Sequence, residues 1–184
     1  MKRISFIGVF ILFAFMAKAQ ELKFSPIDSS PADIVYFPLN AAKAKDGSLP
    51  LIKVIYSRPA KKGREIFGVL EQYGKVWRLG ANENTEIKFF KRVKIGGKTI
   101  KPGTYSLFAI PNKDKWVMIV NKQTDRWGSF TYDETKDVLR TEVPVKSLDK
   151  TLESFSITFT TNAVGANMVF GWDKTLIELP IELK

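Results

Sequence analysis

The chain has 184 residues, with 29 Lys and Arg against 19 Asp and Glu, no His and no Cys, giving a formal net charge of +10 at pH 7. Without imidazole or thiol it has no His general base, no Cys nucleophile, no conventional zinc site and no disulfide. Its length suits one domain, able to bury roughly 70% of its unfolded surface in a single core.

The N-terminus reads as an export signal. Met1-Lys2-Arg3 is positively charged, residues 4–17 form an apolar run, and Ala17-Lys18-Ala19 is a small-x-small cleavage site before Gln20. The run falls short of the roughly 20 apolar residues that cross a bilayer, and there is no Cys to carry a lipid. The expectation is a signal helix over 1–19, cleaved to release an exported protein, periplasmic or secreted, with no stable membrane anchor. Its removal, with Lys2, Arg3 and Lys18, leaves 165 residues and a net charge of +7. In an oxidising compartment such a chain declines disulfides, so its core must suffice unaided.

Residues 20–33 hold three Ser and two Pro and read as an extended lead-in to one domain over 34–184. From about residue 50, short apolar runs repeat with turn residues between them, the pattern of antiparallel strands. Strands are expected at 51–56, 85–90, 104–110, 138–145 and 166–172. Phe155, Ile157 and Phe159 alternate with Ser156, Thr158 and Thr160, and Ile177, Leu179, Ile181 and Leu183 alternate in the same way, each giving one buried and one wet face. Residues 116–120 are continuously apolar, as in a strand covered on both faces. Gly96-Gly97 separates Val93-Lys94-Ile95 from Lys98-Thr99-Ile100 and marks a hairpin, since glycine adopts positive φ at both turn positions. Lys101-Pro102-Gly103-Thr104 suits a type II turn. Eight to ten strands point to an all-β, mainly antiparallel domain, a β-sandwich or jelly-roll-like relative.

Residues 57–84 break the rhythm. A 28-residue excursion far exceeds a hairpin loop, so it is functional or has structure of its own. Ile66, Val69, Leu70 and Tyr73 fall at i, i+3, i+4 and i+7, which predicts one or two turns of amphipathic helix near 65–73.

The chain resembles the bacterial family known as domain of unknown function 2911. The resemblance is carried by Tyr56-Ser57-Arg58-Pro59, Lys62-Gly63-Arg64, Ile66-Phe67-Gly68 and Tyr73-Gly74-Lys75-Val76-Trp77-Arg78-Leu79-Gly80-Ala81-Asn82-Glu83. It continues through Pro102-Gly103-Thr104-Tyr105-Ser106-Leu107-Phe108, Trp116, Asn121, Trp127-Gly128 and Tyr132-Asp133. It implies an exported, largely β domain and brings no established activity. Glu71-Gln72 departs from the apolar-Pro pair expected before Tyr73-Gly74.

The excursion gathers Arg58, Lys61, Lys62, Arg64, Lys75 and Arg78 with Tyr73, Trp77 and Asn82 interleaved. A guanidinium fork grips carboxylate, sulfate or phosphate through two parallel hydrogen bonds, and an indole face covers a sugar ring or a cation. The expected site is Arg58, Arg64, Tyr73, Trp77, Arg78 and Asn82, with Trp127 and Tyr132 opposite. The competing account pairs the arginines with Glu83, Glu86 or Asp133 inside the fold and buries Trp77 in the core. Lys88, Lys91, Arg92, Lys94, Lys98 and Lys101 make a basic hairpin, read as a solvated face that discourages edge-to-edge pairing; export argues against nucleic acid as a partner.

Catalysis would fall to carboxylates such as Glu83, Glu86, Asp125, Asp133, Glu134 and Asp137, held across a cleft. Ser147-Leu148-Asp149-Lys150 matches Ser-x-x-Lys without its companion motifs. No cofactor is expected, and no metal, a calcium ion at Asp125, Asp133 or Asp137 being unsupported. The leading expectation is a noncatalytic exported domain that binds an anionic small molecule, peptide or glycan. A structural or assembly protein of the envelope and a carboxylate-dependent hydrolase are the alternatives.

Overall fold

The computed structural model describes residues 21–184, so the expected leader over 1–19 lies outside the described residues. Among the described residues no helix is long and apolar enough to cross a membrane. The domain is single and almost entirely antiparallel β. Its strands are β1 (Ala32–Phe37), β2 (Ile52–Ser57), β3 (Thr85–Phe89), β4 (Val93–Ile95), β5 (Lys98–Ile100), β6 (Gly103–Ile110), β7 (Lys115–Asn121), β8 (Asp137–Asn162) and β9 (Gly165–Leu183). They form one nine-stranded sheet in the order β1-β2-β3-β6-β7-β8-β9-β4-β5.

That sheet becomes two layers because β8 and β9 are long. The runs expected as separate strands at 138–145 and 155–160 are one 26-residue strand, and those at 166–172 and 177–183 are one of 19. β8 pairs with β7 as far as Pro144 and with β9 from Val145 onward. Register shifts between Ser147 and Leu152 and between Leu152 and Ser156 bend it, as bulges do by leaving residues unpaired on one strand. The Ser-x-x-Lys segment lies in this irregular stretch. The sheet doubles over there, and its halves share one core.

The core follows the predicted alternation. Phe155, Ile157 and Phe159 of β8 and Ile177, Leu179 and Ile181 of β9 are buried against Ile52, Val54 and Tyr56 of β2 and Ile87 and Phe89 of β3. The expected double cover of β7 is also present. Met118 and Val120 face the core, while Ile119 is buried on the opposite side of the strand. On β6 the ring of Phe108 meets that of Tyr132 edge-on at 5.1 Å. Gly96 and Gly97 carry φ of +53° and +80°, so the β4–β5 turn is the predicted one. Lys94 of that hairpin is paired with Glu182 at 3.1 Å.

β1 was not among the expected strands. Its Asp33 and Tyr36 interrupt the apolar pattern, and it lies at one edge of the sheet, paired with β2 alone.

The helix expected near 65–73 is replaced by a tight loop. Glu71 N–H donates to Ile66 C=O at 2.9 Å and Gly68 N–H to Glu71 C=O at 2.9 Å. A helix this short has little stability of its own, and burial decides instead. Ile66 is fully buried, whereas Val69 and Leu70, on the predicted apolar face, are exposed.

Candidate functional site

The 57–84 excursion closes one end of the doubled sheet. Beyond β2 the chain runs beside β8: Phe155 N–H donates to Pro59 C=O at 2.9 Å and Lys61 N–H to Glu153 C=O at 2.7 Å. Further on, Trp77 exchanges both backbone hydrogen bonds with Ala109, at 2.7 and 2.9 Å. Between these anchors Ile66, Trp77 and Leu79 enter the core. Trp77 is 3% exposed and its indole N–H donates to Gly80 C=O at 3.2 Å. Its ring stacks on Trp172 and meets Trp116 and Phe155 edge-on. The indole expected at a binding surface is therefore a core residue.

Arg58 is also occupied. Its guanidinium donates to Asp33 at 2.9 Å, to Ser156 Oγ at 2.7 Å and to Phe155 C=O at 3.2 Å, tying β1 and the end of β2 to β8. Its acid is Asp33 of β1, rather than one of the expected Glu83, Glu86 or Asp133. Tyr132 belongs to another cluster. Its hydroxyl donates to Asp137 at 2.6 Å and accepts from Arg140 at 2.7 Å. Burial first, and the Asp137 hydrogen bond second, push its phenol up to about 12.

Trp127 does meet the excursion, through a backbone bridge to Glu83, while Gly128 N–H donates to Asn82 C=O at 3.0 Å. Trp127 is 61% exposed. Asn82 donates to Asp28 at 3.2 Å and so holds the lead-in against the loop. Tyr73 is half-exposed, its ring resting on Gly68.

Arg64 and Arg78 are the two predicted residues that share a cleft. It has a volume of about 360 Å³, and Lys62, Leu70, Glu71, Ser29 and Trp172 also line it. Small-molecule sites fall at roughly 300–1,000 Å³. Two turns build it. After Lys62 and Gly63, both at positive φ, Arg64 folds back so that its Nε donates to Lys61 C=O at 3.0 Å and a terminal nitrogen to Ala60 C=O. The second turn carries Leu79 at φ +56°, Gly80 at +155° and Asn82 at +58°. Left-handed backbone at a leucine is strained, and it is held because that side chain is fully buried and its C=O accepts from the Thr85 hydroxyl.

Arg78 and Glu71 define the electrostatics. Among the described residues the Arg78 guanidinium makes neither a hydrogen bond nor an ion pair, and its Nε is buried without a partner. Glu71 is likewise without a side-chain hydrogen bond or ion pair among them. Burial pushes its carboxyl up to about 7 against the opposing pull of Arg78 and then Arg64. Three cations thus line the cleft against one carboxylate that is half-ionised near neutrality.

A second cleft, of about 280 Å³, lies on the outer face of β2 and β3 and is lined by Glu83, Asn84, Glu86, Asp125 and Arg126. Burial first, and Asp125 next, raise the Glu86 carboxyl. Asp133 is not there: it caps a short 3-10 turn at Glu134–Lys136 through Thr135 N–H at 2.9 Å. Among the described residues no three carboxylates are gathered as a metal site.

A profile for the family described as "Protein of unknown function (DUF2911)" matches residues 38–181. The chain belongs to that family. The DUF2911 region contains the whole excursion and thus Arg64, Glu71 and Arg78, and it excludes the lead-in that contributes Ser29 to the cleft. No curated protein matches the chain, and no solved structure does.

Lys62 and Glu71 are the charged cleft residues that the expected site left out, Glu71 being the acidic one. Its signal was the departure of Glu71-Gln72 from the apolar-Pro pair expected there from the resemblance.

Proposed function

We propose that this domain binds a small oxyanionic ligand, without catalysis, in the cleft of Arg64 and Arg78. The observation that carries the reading is Arg78, a guanidinium in the cleft wall that the described residues leave without an acceptor. Buried polar groups are costly unless hydrogen-bonded, and charged ones more so. A ligand carboxylate, sulfate or phosphate supplies the counter-charge, and acceptors for the terminal nitrogens, which are not sealed as the Nε is. Arg64, pinned by backbone carbonyls, presents a second cation at fixed position, and Lys62 adds a third. Apolar surface from Leu70 covers the remainder of a ligand.

The leader read in residues 1–19 assigns this binding to the outside of the cytoplasmic membrane. The test is thermal unfolding with sodium sulfate against sodium chloride at matched ionic strength. A ligand that binds only the folded state raises the midpoint. Sulfate stabilises folded chains generally by exclusion from their surface, so it is expected to raise the midpoint of both proteins, and by more in the wild type than in an Arg64→Ala, Arg78→Ala double variant. Equal midpoint shifts in both proteins contradict the reading. Binding is also expected to weaken as salt rises, because Coulomb attraction at a partly open site is screened.

A further inference from the structure

Glu71 is the anion already in the cleft, beside the cations that a bound oxyanion would use. It lines the same cleft as Arg64 and Arg78, lies in the field of both, and is fixed by neither through an ion pair among the described residues. The charged groups facing it are Lys62 and Arg64 from the turn after β2 and Arg78 from the loop before β3. The lead-in and β9 contribute only Ser29, Ser30 and Trp172.

We propose that Glu71 is an internal competitor for the cleft, so that an oxyanion is taken up together with one proton onto the Glu71 carboxyl. This rests on the anion-binding reading above. With Glu71 ionised, its charge offsets one of the three cations and repels an incoming anion. Protonated, it leaves the field of Arg64 and Arg78 to the ligand and offers an O–H donor in place of a repelling charge. Linkage is reciprocal: if protonation favours the anion, the anion favours protonation by the same factor. The raised carboxyl of Glu71 places the transition near pH 7.

The experiment is calorimetric titration of the full chain with inorganic sulfate, whose charge does not change between pH 6 and pH 8. If only the protonated form binds, a carboxyl titrating near 7 makes sulfate binding about tenfold weaker at pH 8 than at pH 6. Titrations at pH 8 in buffers of different ionisation enthalpy are expected to show close to one proton taken up per sulfate. Glu71→Gln is expected to bind equally at both pH values and to take up no proton. If sulfate binds the wild type in an arginine-dependent way, but with the same affinity at both pH values and no proton uptake, the coupling is overturned and the site stands. If sulfate binds neither the wild type nor Glu71→Gln at either pH, the anion site itself is overturned.

Discussion

The indole of Trp77 stacks on that of Trp172 with ring centres 5.9 Å apart and planes 20° from parallel. One ring comes from the irregular excursion and the other from β9, so this contact fastens the cleft-bearing segment to the sheet. Removing a large core aromatic costs about 3–5 kcal/mol. Trp77→Ala is expected to lose stability in that range by urea denaturation and to loosen the excursion. A loss below about 1 kcal/mol would mean that the segment is held by its backbone bonds alone.

Arg58 is expected to be structural. Its ion pair with Asp33 is more than a third exposed on both sides, and such pairs contribute about 0–1 kcal/mol. Its removal also strips a donor from Phe155 C=O, so Arg58→Ala is expected to cost about 1–2 kcal/mol. Sulfate binding should be unchanged, as read by the same titration. A selective loss of binding in a stably folded Arg58→Ala would return this residue to the site.

Gly80 is expected to tolerate no side chain. A Cβ there would come within 2.8 Å of Ser57 C=O, at a φ of +155°. Gly80→Ala must displace backbone rather than a flexible side chain, at a cost of about 1–3 kcal/mol. The displacement moves the loop that carries Arg78, so stability and sulfate affinity should fall together. A neutral effect on both would contradict this placement of the loop.

The pH dependence of stability has a definite sign. The fold raises the Glu71 carboxyl from about 4.5 to about 7, which means that it disfavours the ionised form. Stability from this group is complete below about pH 4.5 and is lost as pH rises through about 7. Glu71→Gln is therefore expected to match the wild type at pH 4 and to exceed it at pH 8 by on the order of 2 kcal/mol. Denaturation midpoints at the two pH values measure this. A constant difference between the proteins would show that the carboxyl does not titrate in that window.

The fold was legible where one residue sets a local constraint. Phe155, Ile157 and Phe159 gave the inner face of β8, and Gly96-Gly97 gave the β4–β5 turn, because period and turn chemistry act over a few residues. The fusion of two predicted strands into β8 was not legible, since the irregular stretch around Leu152 is carried through by its pairing with Asp173 of β9 and not by the alternation of its own residues. The helix near Ile66 failed for a related reason: the core took Ile66 and Trp77 and left Val69 and Leu70 in water.

Within the site, guanidinium groups were readable as a set and not individually. Arg58 and Arg78 look alike in sequence, yet Asp33 and Ser156 occupy the first and nothing among the described residues occupies the second. That difference depends on contacts 25 and 98 residues away. Glu71 carried a faint local signal, whereas its raised carboxyl follows from burial that only the packed excursion creates.

The most direct measurement follows the arginine Nε–H resonances in arginine-labelled protein as sulfate is added at pH 6. The Arg78 and Arg64 signals are expected to shift along one saturable curve while Arg58 stays still. If Arg78 does not move, or if all arginines drift together without saturation, the cleft is not an anion site.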